Sequence, residues 1–206
     1  MKLQIAVDRV TIDIAEKIIE QFAGQTEVIE IGTSLIKDYG LLNLKYLNER
    51  KGNTLLLADM KTCDEGEYEF RQGFEQGFDI LTVMGNSSKQ TLEKCYQVSE
   101  DYGKTMLIDL LECSDKKVSE IAGFEHAVYC LHTSVDQGGS KNPALEVKRF
   151  KEKFPQIKRI AIAGGITLDS VRAIKKEGTE FIIVGSAITK AENMEQELKR
   201  FKENLL

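Results

Sequence analysis

The sequence predicts an α/β protein folded as a single (β/α)8 TIM barrel over residues 1–206. Three observations support this: eight short apolar runs recur along the chain, segments of helical period lie between them, and capping residues and glycines mark the boundaries. An open, doubly wound sheet uses the same alternation and is the structural alternative. At 42% hydrophobic residues the chain can bury one sizeable core, and no low-complexity linker divides it.

The first strand runs from Leu3 to Val7 and is followed by helical periodicity from Ile12 to Phe22. Val28 to Ile31 is the second strand, with a helix expected over Leu41 to Arg50. The third, Thr54 to Asp59, precedes a helix over Glu65 to Gln76 for which Asp64 is a candidate cap. Ile80 to Val83 follows, then Ser87 or Ser88 as cap for Lys89 to Tyr102. After the fifth strand, Thr105 to Leu110, the helical period is least clear. Ala127 to Leu131 and Ala144 to Phe154 form the next pair, and Arg159 to Ala163 leads through Thr167 into Leu168 to Glu177. The eighth strand, Phe181 to Val184, is followed by a short helix and then by Glu195 to Asn204. Gly77, Gly103 and Gly178 close helices ahead of new strands.

A net charge of −5 leaves no basic face for nucleic acid or an anionic membrane. The cluster Lys148, Arg149, Lys151 and Lys153 reads as a solvated helix face. No apolar run approaches membrane-spanning length and no leader precedes the first strand, so a soluble, cytoplasmic protein is expected. Cys63, Cys95, Cys113 and Cys130 lack the paired spacing of zinc or dithiol motifs and read as reduced, unpaired thiols.

The chemistry concentrates where strands end. In Leu55-Leu56-Leu57-Ala58-Asp59-Met60-Lys61-Thr62-Cys63-Asp64 an apolar strand terminates in opposite charges, and period two sets Leu57, Asp59 and Lys61 on one face. Asp8, Glu30, Asp109 and His132 stand at the ends of the first, second, fifth and sixth strands. Singly, each has a structural reading as a cap, an ion pair or a satisfied imidazole. Together they converge on the mouth where barrels place active sites. Glu30 and Asp59 are hard oxygen ligands suited to Mg²⁺. Lys61, held by Asp64, can neutralise an oxyanion, and Asp109 or His132 can move protons. His126 falls at the opposite end of its strand and reads as structural or surface. Gly164-Gly165 after the seventh strand and Gly185-Ser186 after the eighth suit a phosphate, since glycine lets backbone N–H groups approach an anion closely.

Over essentially its whole length the chain resembles the orotidine-monophosphate decarboxylase superfamily, in its 3-hexulose-6-phosphate synthase and 3-keto-L-gulonate-6-phosphate decarboxylase branch. The resemblance rests on Leu3-Gln4-Ile5-Ala6-Val7-Asp8, Glu30-Ile31-Gly32-Thr33, Asp59-Met60-Lys61-Thr62-Cys63-Asp64, His132-Thr133, Ala163-Gly164-Gly165-Ile166 and Val184-Gly185-Ser186-Ala187-Ile188-Thr189. It implies that Glu30 and Asp59 bind Mg²⁺, that Lys61 contacts a substrate oxygen, and that Asp64 enters the other subunit's site in a homodimer. Asp109 and His132 match substrate-contact or proton-transfer positions, Asp8 is expected to bind substrate, and the last two loops match a phosphate grip. Three residues after the histidine the decarboxylases resembled carry arginine, whereas this chain has Val135, and His132-Thr133-Ser134-Val135-Asp136-Gln137 with Asp109 is synthase-like. Gly138-Gly139-Ser140 and Cys63 depart from the branch's usual residues. The resemblance implies a Mg²⁺-dependent aldol lyase joining formaldehyde to ribulose 5-phosphate through an enediolate. The alternatives are the decarboxylase, a sugar-phosphate isomerase or epimerase, and an inactive sugar-phosphate sensor.

Overall fold

Strands β1 (Lys2–Val7), β2 (Val28–Ile31), β3 (Leu55–Thr62), β4 (Ile80–Met84), β5 (Thr105–Asp109), β6 (Val128–His132), β7 (Ile160–Ala163) and β8 (Phe181–Val184) pair in parallel and in chain order. β8 pairs back onto β1, so the sheet is a closed barrel, not the open alternative. These are features of a computed structural model that describes residues 1–134, 136, 138, 140 and 142–205. Val135, Gln137 and Gly139, on which part of the loop comparison above rests, lie outside the described residues.

The helices are α1 (Ile12–Phe22), α2 (Thr33–Tyr39), α3 (Leu41–Leu44) with a tight 3₁₀ turn over Lys45–Glu49, α4 (Gly66–Glu75), α5 (Lys89–Tyr102), α6 (Asp115–Ile121), α7 (Pro143–Lys153), α8 (Leu168–Glu177), α9 (Ser186–Thr189) and α10 (Met194–Leu205). Among the described residues, none is long and apolar enough to cross a membrane.

Alternation along each strand sorts residues between two cores. Leu3, Ile5 and Val7 face outward from β1 into a shell shared with Ile18, Phe22, Phe70 and Phe201 of the helices. The inward residues Val28, Leu57, Ile80, Leu107, Val128, Ala161 and Phe181 fill the barrel's lower half. Each fully buried side chain of this kind contributes about 1.5–3 kcal/mol, so the lower barrel is a solid plug. The next inward layer holds Gln4, Glu30, Asp59, Thr82 and Asp109, and the polar mouth therefore rests on a rigid apolar floor.

Several local expectations need correction. Asp64 does not cap α4: β3 runs on to Thr62, and Glu65, in a left-handed conformation at φ 52°, occupies the N-cap without a side-chain bond. The single helix expected over Leu41 to Arg50 is broken into α3 and the 3₁₀ turn, where Asn48 Nδ2 bonds the carbonyls of Lys45 and Gln76 at 3.1 and 2.8 Å. α2 was not expected; it follows Gly32 and stops at Gly40, whose φ is 77°. The unclear segment after β5 is α6, capped by Ser114 Oγ on the Lys117 amide. Ser88, rather than Ser87, caps α5. At α8 the Thr167 amide bonds Ser170 Oγ at 3.1 Å.

Candidate active site

The carboxyl ends of all eight strands or their following loops border one cavity of about 490 Å³. It is lined by Asp8, Glu30, Asp59, Lys61, Asp109, His132, Gly164, Gly165, Gly185 and Ser186. Asp64 lies outside it, exposed on the turn after β3, and is not the residue that holds Lys61 as expected; Asp59 and Asp109 take that part.

β3 reaches the cavity through an irregularity. Between Ala58 and Thr62 it advances four residues while β4 advances two, from Leu81 to Val83. Lys61 takes a left-handed φ of 49° at this bulge, a conformation uncommon for a residue with a Cβ. Its Nζ then lies 2.9 Å from Asp59 Oδ2 and 2.9 Å from Asp109 Oδ2. Asp59 is further held by Thr33 Oγ1, donating to Oδ2 at 2.7 Å, and by Thr82 Oγ1, donating to Oδ1 at 2.8 Å.

The network continues across the mouth. Asp109 Oδ2 also meets His132 Nδ1 at 2.8 Å, while Asp109 Oδ1 accepts the Leu111 amide at 2.9 Å. Burial pushes the Asp109 pKa up, but the His132 bond and the Lys61 charge outweigh it and hold the group down at about 2. For Lys61 burial favours the neutral amine, yet the Asp59 and Asp109 carboxylates raise its pKa above the ordinary lysine range and keep it charged.

Glu30 behaves oppositely. Burial, then the Asp59 charge, raises it to about 8 despite the bond from Gln4 Nε2 at 2.5 Å. Of the two neighbouring carboxylates Asp59 and Glu30, the first is thus paired with an ammonium, and the second has no ion pair among the described residues. Among the described residues no three metal-ligating side chains cluster. A two-carboxylate donor set nevertheless fits Mg²⁺, which keeps several waters and takes only one or two protein carboxylates.

The opposite wall is built from the last two loops. Gly164 has φ 94° and lies so close to Thr133 that an added Cβ would collide with its carbonyl oxygen. Only glycine fits there. Ser186 opens α9, in which the Ile188 and Thr189 amides bond the Gly185 carbonyl at 2.9 and 3.0 Å, leaving the Ser186 and Ala187 amides at the loop end of the turn. Arg9 and Lys190 also border the cavity. Asp8 Oδ1 accepts bonds from Ser34 Oγ and, at 3.2 Å, the Ser34 amide.

Residues 1–201 match the family described as "Orotidine 5'-phosphate decarboxylase / HUMPS family". The chain belongs to this family. Within it, 3-hexulose-6-phosphate synthase of Bacillus subtilis (strain 168) is 31% identical over 206 residues, covering 98% of each protein. The synthase of Staphylococcus epidermidis (strain ATCC 12228 / FDA PCI 1200) is 29% identical over 196 residues, 94% of this chain and 93% of the relative. The solved 3-hexulose-6-phosphate synthase from Salmonella typhimurium superposes with a TM-score of 0.91 at 28% identity, over 100% of this chain and 98% of that one. A 3-keto-L-gulonate-6-phosphate decarboxylase from Vibrio cholerae shares the fold, with a TM-score of 0.85 at 23% identity over 99% and 96% of the chains. The relatives make this chain an enzyme of lyase type.

Sequence reasoning assigned no role to Gln4, Thr33 or Thr82. Gln4 and Thr82 stand at inward positions of apolar strands, where a polar residue is out of pattern, and that was the available signal. Thr33 lies in the quoted Glu30-Ile31-Gly32-Thr33 element, but its bond to Asp59 links the start of α2 to β3 and leaves no trace in local spacing.

Proposed function

We propose that the protein is a 3-hexulose-6-phosphate synthase-like aldol lyase that joins formaldehyde to D-ribulose 5-phosphate and runs the reverse cleavage. It works in the cytoplasm as a Mg²⁺-dependent homodimer. The observation that carries the proposal is the His132–Asp109–Lys61–Asp59 chain facing the glycine-built wall, in a protein whose full-length relatives are synthases.

The sugar's phosphate sits against Gly164, Gly165, Gly185 and Ser186, which leaves C1 near the polar chain, and Asp8 contacts the sugar. Removal of a C1 proton gives an enediolate; its C1 attacks the formaldehyde carbon, and the new alkoxide takes up a proton. His132 is the base. Asp109 is disqualified by a pKa near 2 and by the engagement of both its oxygens. As an ionised acceptor it requires the hydrogen on His132 Nδ1, so in the neutral imidazole Nε2 is the nitrogen whose lone pair takes the C1 proton. Lys61, permanently charged, neutralises the oxygen that gains charge, an effect worth about 3 kcal/mol in comparable sites. Glu30 and Asp59 would hold Mg²⁺, which supplies Lewis acidity toward the sugar's carbonyl and hydroxyl oxygens. Asp64 reaches the neighbouring subunit's cavity, in keeping with its exposure outside its own.

The test is formaldehyde consumption with ribulose 5-phosphate and Mg²⁺, using wild type, Lys61→Ala and Asp59→Asn. Both variants are expected to lose the activity. Unchanged consumption in both rejects the mechanism.

A further inference from the structure

We propose that Thr82 is a positioning residue whose single hydroxyl pins the bulge of β3 and the Asp59 carboxylate to the same point on β4. A bulge inside a sheet takes backbone groups out of the ladder, and the left-handed Lys61 lies within this one. Its N–H donates to Thr82 Oγ1 at 2.9 Å instead of to a strand carbonyl. The same Oγ1 donates its own hydrogen bond to Asp59 Oδ1 at 2.8 Å. A hydroxyl has one donor and two acceptor lone pairs, so it satisfies both partners at once.

Thr82 is 3% exposed and β-branched, with few rotamers open to it. The backbone that launches the Lys61 side chain and the carboxylate that receives its ammonium are therefore referenced to one stiff side chain on a neighbouring strand. Thr82 acts through these two residues. Valine at this position keeps the shape and loses both bonds, whereas serine keeps the hydroxyl.

The kinetic arm of the test rests on the proposed reaction; the exchange arm does not. In full-length protein, hydrogen exchange at the Lys61 amide is compared in wild type, Thr82→Val and Thr82→Ser, together with kcat and KM for ribulose 5-phosphate. Thr82→Val is expected to speed exchange at Lys61 by about tenfold or more and to lower kcat roughly 10–100-fold with KM little changed, as for other supporting residues around a site. Thr82→Ser stays near wild type on both measures. Wild-type protection of the Lys61 amide in Thr82→Val, an unchanged kcat, or equal damage from serine and valine overturns the proposal. If the valine variant does not fold, Thr82→Ala is compared with Thr82→Ser on the same readouts. If wild type consumes no formaldehyde, the proposed reaction has failed and the exchange comparison alone decides the role of Thr82.

Discussion

Mg²⁺ binding is expected to expel a proton from Glu30. Burial and the neighbouring Asp59 charge place its pKa at about 8 in the metal-free protein, so roughly nine-tenths of it is protonated at pH 7, whereas a metal-bound carboxylate must be ionised. Calorimetric titration of Mg²⁺ at pH 7, in two buffers of different ionisation enthalpy, should therefore report close to one proton released per ion bound, falling to a small fraction by about pH 9. The same shift has a stability signature. A carboxyl raised from 4.5 to about 8 contributes stability that is complete below pH 4.5 and lost as pH rises through 8. At about 1.4 kcal/mol per pH unit the loss is on the order of 5 kcal/mol. The metal-free protein should melt progressively lower from pH 5 to pH 8, and Glu30→Gln should flatten that dependence, abolish proton release and weaken Mg²⁺ binding. Mg²⁺ binding without proton release in the wild type at pH 7, or undiminished release in Glu30→Gln, refutes the assignment.

Asp109 runs the other way: held at about 2 against an ordinary 3.8, it contributes stability above pH 3.8 that is lost as pH falls through 2. Acid unfolding of Asp109→Asn should lack that component, worth roughly 2 kcal/mol in wild type. Gly164→Ala should raise KM for the sugar phosphate and cost about 1–3 kcal/mol in chemical denaturation, because its Cβ meets the Thr133 carbonyl at a φ of 94°. Incubation with 3-keto-L-gulonate 6-phosphate should release no CO₂ above background; robust release would favour the decarboxylase reading.

The strands were legible because inward and outward residues differ in kind: each apolar run between helical segments is a strand, β2 and β8 have the expected bounds, and the ends of the others move by at most three residues. The irregular pieces were not. α2 and the 3₁₀ turn follow from Gly40 at φ 77° and from Asn48 bonding a carbonyl 28 residues away, a tertiary contact that overrides a continuous helical pattern. Asp64 carried the expected cap chemistry, yet the added length of β3 moved the start of the helix past it.

The cavity shows the same division more sharply. Period two was enough to aim Asp59 and Lys61 together, although the bulge breaks that period between them and Lys61 reaches Asp59 only through a left-handed backbone. Charges at strand ends announce themselves because a barrel mouth is the one place where several can converge. The neutral groups that hold them do not: Gln4 on Glu30, and Thr33 and Thr82 on Asp59, are each supplied by a different element from the carboxylate they support. Burying Asp59 at 8% exposure is tolerable only because two hydroxyls and one ammonium satisfy it. Among the described residues Glu30 has the Gln4 amide and no ion pair, and that imbalance between adjacent carboxylates is the physical reason to expect an ion there.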